Sequence, residues 1–306
     1  MTRIGNSDLD IFPLALGGNV FGWTADRATS FAVLDAFVES GGTLVDTADG
    51  YSHWVPANTG GESETIIGDW LAARDNRDQV LIATKVSTHP QFKGLHPTNI
   101  AKAAEASLVR LGTDHIDLYY AHYDDPEVPL ADTIGALSAL VDAGKVRYIA
   151  LSNYTAARVD EWFQVTAANG LHQAVALQPL YNLVERDFES NGLQAAAAAY
   201  GLGVLPYYSL ASGFLTGKYR RGRDVPGDRA ARATMYLDDH GERVLAALDE
   251  ISAAHGVSPA AVALAWLRAQ PTVVAPIASA SRPEQVADLM TLVDLTPDEL
   301  AALTAA

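Results

Sequence analysis

The sequence contains no cysteine, which excludes disulfides, thiolate metal sites and a cysteine nucleophile together. It is also short of positive charge: 21 Lys and Arg stand against 37 Asp and Glu, a formal net charge of −16. A chain this acidic is poorly suited to coat a phosphate backbone or an anionic membrane surface. Neither nucleic acid nor membrane is therefore expected as a partner, although a local basic patch could hold a small anion. Long apolar runs are missing too, none approaching the ~20 residues of a membrane span. The opening Met1-Thr2-Arg3-Ile4-Gly5-Asn6 is polar, with no apolar signal core. A soluble cytoplasmic protein is the expectation. No histidines show the H-x-x-x-H spacing of a metal site, and no G-x-S-x-G nucleophile elbow occurs.

What is present suits a full core: 49% of the 306 residues are hydrophobic and 19% charged. Length alone allows two domains of roughly 150 residues or one barrel of about 250 or more. Periodicity favours the barrel. Short apolar runs at Thr43–Asp46, Val80–Lys85, Ile116–Ala121, Tyr148–Leu151, Ala174–Pro179, Gly203–Tyr207 and Val273–Ile277 lack clean alternation, as strands buried on both faces do. Pro13–Leu16 supplies an eighth.

Helical stretches lie between the runs: Arg27–Glu39, Ile66–Ala73, Asn99–Leu111 after Thr98, and Ala260–Ala269 opened by Ser258-Pro259. Thr296, Pro297 and Glu299 form a capping box before Leu300–Leu303. Eight β/α units predict an α/β fold, a closed (β/α)8 TIM barrel, with residues 1–306 as one domain. An open doubly wound sheet is the alternative. Ile4, Leu9 and Ile11 around Gly5-Asn6-Ser7 predict an N-terminal β-hairpin plugging the barrel bottom. Leu210–Met235, with four glycines and several arginines, fits no unit, and loops of that length are usually functional or disordered.

Active sites of such barrels lie at the C-terminal ends of the strands. The residues closing the runs are Asp46 (followed by Tyr51), Lys85, His122, Ser152-Asn153, Gln178 and Tyr207. Singly, Asp46 could cap a turn, Tyr51 could be a loop tyrosine and His122 a satisfied rim histidine; Asp124-Asp125 reads as solvated loop carboxylates. Lys85 is harder to dismiss, because a buried ammonium needs a partner or a task. Together the residues suit proton donation to a carbonyl receiving hydride. Lys85 would pull the Tyr51 phenol toward working pH, Asp46 would orient Lys85, and His122 would hydrogen-bond the carbonyl oxygen.

Several ordered motifs then align with one family. Asp46-Thr47-Ala48-Asp49-Gly50-Tyr51, Gly61-Glu62-Ser63-Glu64, Ala83-Thr84-Lys85, Arg110 to Tyr119, Gly144 to Asn153 and Leu210 to Tyr219 make the chain resemble the aldo-keto reductases from about Leu14 to Leu300. The resemblance implies reduction of an aldehyde or ketone to an alcohol by hydride transfer from NADPH (leaving NADP+). Tyr51 would be the general acid within a tetrad completed by Asp46, Lys85 and His122. It implies carboxamide contacts from Ser152, Asn153 and Gln178, and ring stacking by Tyr207. Leu210, Ser212, Gly213, Leu215 and Lys218 would wrap the pyrophosphate. Ile277, Ser279, Ser281, Arg282 and Gln285 would hold the adenosine ribose and its phosphate. Tyr208-Ser209 departs from the family's commoner Ser-Pro, as do Asp288 and Leu289 from its Glu and Asn.

Phe21, Trp23, His53, Trp54 and Tyr123 sit on rim loops and predict an aromatic-walled pocket. Such walls favour an apolar or flat carbonyl compound, or a sugar stacked on a ring. Two other readings stay open: a Schiff-base lyase using Lys85, and a regulatory subunit that binds the dinucleotide and a partner chain.

Overall fold

The computed structural model describes residues 1–223 and 225–306; Asp224, within the long loop, lies outside the described residues. Its main sheet has eight parallel strands: β3 (Ala15–Gly17), β4 (Leu44–Asp46), β5 (Leu81–Val86), β6 (Ile116–Ala121), β7 (Val146–Ser152), β8 (Ala174–Gln178), β9 (Gly203–Val204) and β10 (Ile277–Ala278). From β3 to β9 each strand pairs with the next, and β10 returns to pair with β3. The ring closes through backbone bonds beside β9. Val204 N–H donates to the Thr272 carbonyl, Val274 N–H to the Val204 carbonyl and Ile277 N–H to the Pro206 carbonyl, each at 2.9 Å. The fold is the (β/α)8 barrel.

The last two strands are shorter than the apolar runs suggested. Pro206 and Pro276 interrupt both runs, and proline cannot donate to a ladder, so only isolated bonds continue the pairing there.

Helices cover the outside: α1 (Arg27–Glu39), α2 (Glu62–Arg74), α3 (Pro97–Leu111), α4 (Leu130–Asp142), α5 (Ala156–Asn169), α6 (Leu193–Tyr200), α7 (Ala230–Ala233), α8 (Asp239–His255), α9 (Pro259–Arg268), α10 (Glu284–Met290) and α11 (Pro297–Ala305). The Ser258 hydroxyl accepts from the N–H of Ala261, and Thr296 with Glu299 forms the full capping box. At α3 the cap is His96 instead of Thr98, with Pro97 at the first helical position.

Two cores result. A large one lies between barrel and helices; a small one fills the barrel interior. The N-terminal hairpin, β1 (Thr2–Arg3) paired antiparallel with β2 (Asp10–Ile11), drops Ile4, Leu9 and Ile11 into that interior beside Leu44, Leu118, Tyr120 and Val175. Gly5, at φ +48, passes so close to the Val175 and Gly201 carbonyls that a Cβ would collide with both. With the bottom sealed, the open end is the C-terminal rim. Among the described residues no helix is long and apolar enough to cross a membrane.

Candidate active site

The rim builds its polar centre from four strand ends. Lys85, fully buried on β5, donates from Nζ to Asp46 Oδ2 (2.7 Å), to the Thr47 carbonyl (2.7 Å) and to Tyr51 Oη (3.1 Å). The second oxygen of Asp46 accepts from Gln178 Nε2 on β8 at 2.9 Å. Tyr51 rides a tight turn just beyond β4, its N–H bonded to the Ala48 carbonyl, and Ser52 follows at φ +69. His122, beyond β6, hangs from the Val86 carbonyl by its backbone N–H, with its ring centre 6.2 Å from that of Tyr51.

Burial dominates the protonation states here. It pushes the Tyr51 phenol well above the ordinary tyrosine value, with the Asp46 carboxylate adding to the rise. This reverses the expectation that Lys85 draws the phenol toward neutral pH. The ammonium is already matched by Asp46, so the half-buried phenol meets a nearly neutral pair. Burial likewise lowers Lys85, against the opposing pull of Asp46. It also drives His122 well below the usual imidazole value, with Lys85 adding to the effect. His122 is therefore neutral at working pH.

Beside this centre the Ser152 hydroxyl donates to the Gln178 carbonyl (2.9 Å). Asn153, at φ +58, donates to the His122 carbonyl (2.9 Å) and accepts from Tyr207 Oη (2.9 Å). Burial raises Tyr207 to about 12, so its ring stands as a neutral wall.

The far flank is different. Tyr208, Ala211, Ser212 and Gly213 all hold left-handed φ values between 47° and 94°, and such non-glycine residues cost about 1–3 kcal/mol each and cluster at functional sites. Beyond them the Arg229 guanidinium lies 5.5 Å from the Trp23 ring, and its Nη2 is buried with no partner among the described residues. Partial burial, then Arg229 and Arg282, depresses the Lys218 ammonium. Three cations thus share one flank. In the same cavity, Ser279 Oγ donates to Asn19 Oδ1 (2.6 Å), and Gln285 Oε1 accepts from the backbone N–H of Ser281 (2.8 Å) and Arg282 (3.2 Å).

One cavity of about 460 Å³ joins both ends. Of the residues singled out in the sequence, it is lined by Asp46, Tyr51, His122, Ser152, Asn153, Gln178, Tyr207, Leu210, Ser212, Gly213, Lys218, Ile277, Ser279, Ser281, Gln285, Trp23, His53, Trp54 and Tyr123. Lys85 lies directly behind Tyr51. Phe21 and Leu215 are not brought in: both are completely buried in the outer core. Arg282 stays exposed at the rim. Asp124 and Asp125 are engaged, not merely solvated, the first in a paired contact with Arg158 and the second accepting from the N–H of Leu95.

The cavity adds Asn19, Thr88 and Arg229, which the sequence did not single out, and Tyr208, noted there only as a departure from the family's Ser-Pro. For Arg229 a signal existed in the arginines of the long glycine-rich loop. Among the described residues no group of three or more His, Asp and Glu could hold a metal ion.

A parallel barrel with a Tyr–Lys–Asp–His centre at its C-terminal rim defines a class, and comparison agrees. Residues 13–306 match the Aldo/keto reductase family, and the chain belongs to that family. It is similar to Protein tas of Escherichia coli, 34% identical over 99% of this chain and 96% of that protein. It is also similar to norsolorinic acid reductase B of Aspergillus parasiticus, 31% identical over 97% of this chain and 81% of that one. A probable voltage-gated potassium channel subunit beta of Oryza sativa is 31% identical over 96% of this chain and 91% of its own length.

Proposed function

We propose that the protein reduces an aldehyde or ketone to an alcohol with NADPH, Tyr51 donating the proton. The observation that carries this reading is the 3.1 Å contact from Lys85 Nζ to Tyr51 Oη, with Lys85 itself fixed by Asp46 at 2.7 Å. A dinucleotide suits what the cavity offers. The unpartnered Arg229 Nη2, with Lys218 and Arg282 beside it, asks for phosphate oxygens. Ser152, Asn153 and Gln178 present amide and hydroxyl groups for a carboxamide, and Tyr207 a ring face. Gln285, Ser279 and Ser281, which line the same cavity, would hold a ribose and its phosphate. When bound, the reduced dinucleotide supplies the hydride.

The chain's own residues do the rest. Because burial keeps Tyr51 protonated, the proton is in place before reaction. As it leaves, charge develops on Oη within reach of the Lys85 ammonium. A cation fixed before the charge appears stabilises it without reorganisation. Neutral His122 offers a ring N–H to the carbonyl oxygen, steadying the electrophile. Trp23, Trp54 and Tyr123 wall the entrance, Trp54 and Tyr123 partly exposed, which suits an apolar or flat carbonyl compound.

NADPH oxidation followed by absorbance against a panel of aromatic and aliphatic aldehydes and ketones tests the reading. Turnover by the wild type, lost in Tyr51→Phe, is expected. Detection of a borohydride-trapped imine on Lys85 would replace this reading with the Schiff-base one.

A further inference from the structure

Behind the pocket wall lies a carboxyl that the proton-donating set leaves unused. Asp49 is completely buried, and its Oδ1 accepts from Thr88 Oγ1 at 3.3 Å, while its Oδ2 has no partner among the described residues. The same Thr88 oxygen lies 3.5 Å from Nδ1 of His122. One hydroxyl therefore links a buried carboxyl to the imidazole at the reacting end of the pocket. We propose that Asp49, acting through Thr88, decides which nitrogen of His122 carries the ring proton, and so whether the ring offers the pocket a donor or a lone pair. This rests on the reading of His122 as the carbonyl's hydrogen-bond partner.

The argument is a count of protons. A hydroxyl has one proton to give, and a neutral imidazole carries one N–H. An ionised Asp49 can only accept, so Thr88 donates its one hydroxyl hydrogen bond to Asp49. The Thr88 oxygen then accepts from Nδ1–H, which leaves Nε2 bare. When Asp49 takes up a proton from solvent it donates to Thr88, the hydroxyl turns toward Nδ1, and the ring proton resides on Nε2. Only this second arrangement gives the carbonyl oxygen a donor. Asp49 is thus a positioning residue, touching no substrate atom.

The surrounding charges make both arrangements accessible. Asp49 faces Glu64 of α2, Arg110 of α3, Lys85 of β5 and Tyr119 of β6. Glu64 is already satisfied, accepting from Thr84 Oγ1 (2.6 Å) and Arg110 Nε (2.7 Å), so Arg110 is committed away from Asp49. Burial first, then the Glu64 carboxylate, raises Asp49 to about 7, against the Ser87 backbone, Arg110 and Thr88. His122 faces Lys85, Tyr51 and Tyr123. It stays neutral, the condition under which a choice of tautomer exists.

Nitrogen-15 NMR of the full chain labelled at histidine tests this, the His122 signal being the one lost in His122→Gln. In the wild type the ring proton should move from Nε2 to Nδ1 as pH rises through neutrality. Asp49→Asn, which no longer titrates, should hold one tautomer on both sides, and Thr88→Val should also abolish the switch. In turnover, kcat/KM for a carbonyl should fall on the alkaline side in the wild type and lose that limb in Asp49→Asn. One tautomer throughout in the wild type, or an unaltered switch in Asp49→Asn, would overturn the proposal. A switch in a protein that turns over no carbonyl would leave it standing and sink the reductase reading; turnover without a switch would do the reverse.

Discussion

The two ends of the pocket follow opposite rules. Around Tyr51 the charges are matched: Lys85 has Asp46, and Asp46 also has Gln178. Around Arg229 charges of one sign gather, and a buried guanidinium nitrogen has no partner. A matched cluster is set in advance for charge that appears during a reaction. An unmatched cluster holds an interaction that only a ligand can complete, at a cost to the folded protein alone. On the proposed function the first end serves chemistry and the second binding, and substitutions should separate them.

Lys85→Met should do the most damage. It removes the ammonium beside Tyr51, and general acid catalysis is typically worth about 10²–10⁴-fold. It also strands Asp46 as a buried charge, which costs roughly 3–5 kcal/mol. Loss of kcat together with a Tm lower by several degrees in calorimetry is the expected pair, and an unchanged Tm would deny the ion pair its structural share.

Arg229→Ala should act at the other end alone. Hydrogen bonds to charged groups are worth about 1.5–3 kcal/mol, so NADPH should bind roughly 10- to 100-fold more weakly, with kcat at saturation nearly kept. The Tm without ligand should hold or rise, because an unsatisfied buried donor is gone. Fluorescence titration and a thermal melt check both halves. Arg282, exposed at the rim, should contribute less: Arg282→Ala should weaken NADPH by about tenfold and leave NADH nearly untouched. Equal losses for the two cofactors would remove it from the 2′-phosphate.

A further effect is one of stability against pH. Because Asp49 sits near 7 when folded, against an ordinary 3.8, the native state binds its proton more tightly than the unfolded chain. The stability this gives is complete below about pH 4 and is lost as pH rises toward about 7. Asp49→Asn escapes that loss, so its Tm relative to wild type should be more favourable above neutrality than in mild acid. A difference constant across that range would contradict the burial of an uncompensated carboxyl.

The same contrast marks what could be read from the residues. The barrel and the Tyr51 end were legible because strand ends are local signals: an apolar run that stops at Asp, Lys or His names its own rim residue. Pairing of Lys85 with Asp46 followed from the cost of burying an ammonium. The direction of the Tyr51 shift did not follow, since desolvation depends on what surrounds the ring in three dimensions. Arg229 was hidden because its loop has no periodicity to say which arginine turns inward. Thr88 and Asp49 were hidden because their link to His122 joins three separate segments. Phe21 shows the converse: an aromatic on a rim loop is as readily core as pocket wall.

The central claim is that Tyr51 carries chemistry and the Arg229 flank carries binding. It is tested most directly by measuring, on Tyr51→Phe, both the NADPH dissociation constant and kcat with the best carbonyl of the panel. An unchanged dissociation constant with kcat down by about 10²–10⁴-fold is the predicted result. A mutant that keeps more than about half of the wild-type kcat would contradict the account, since the proton would then come from elsewhere.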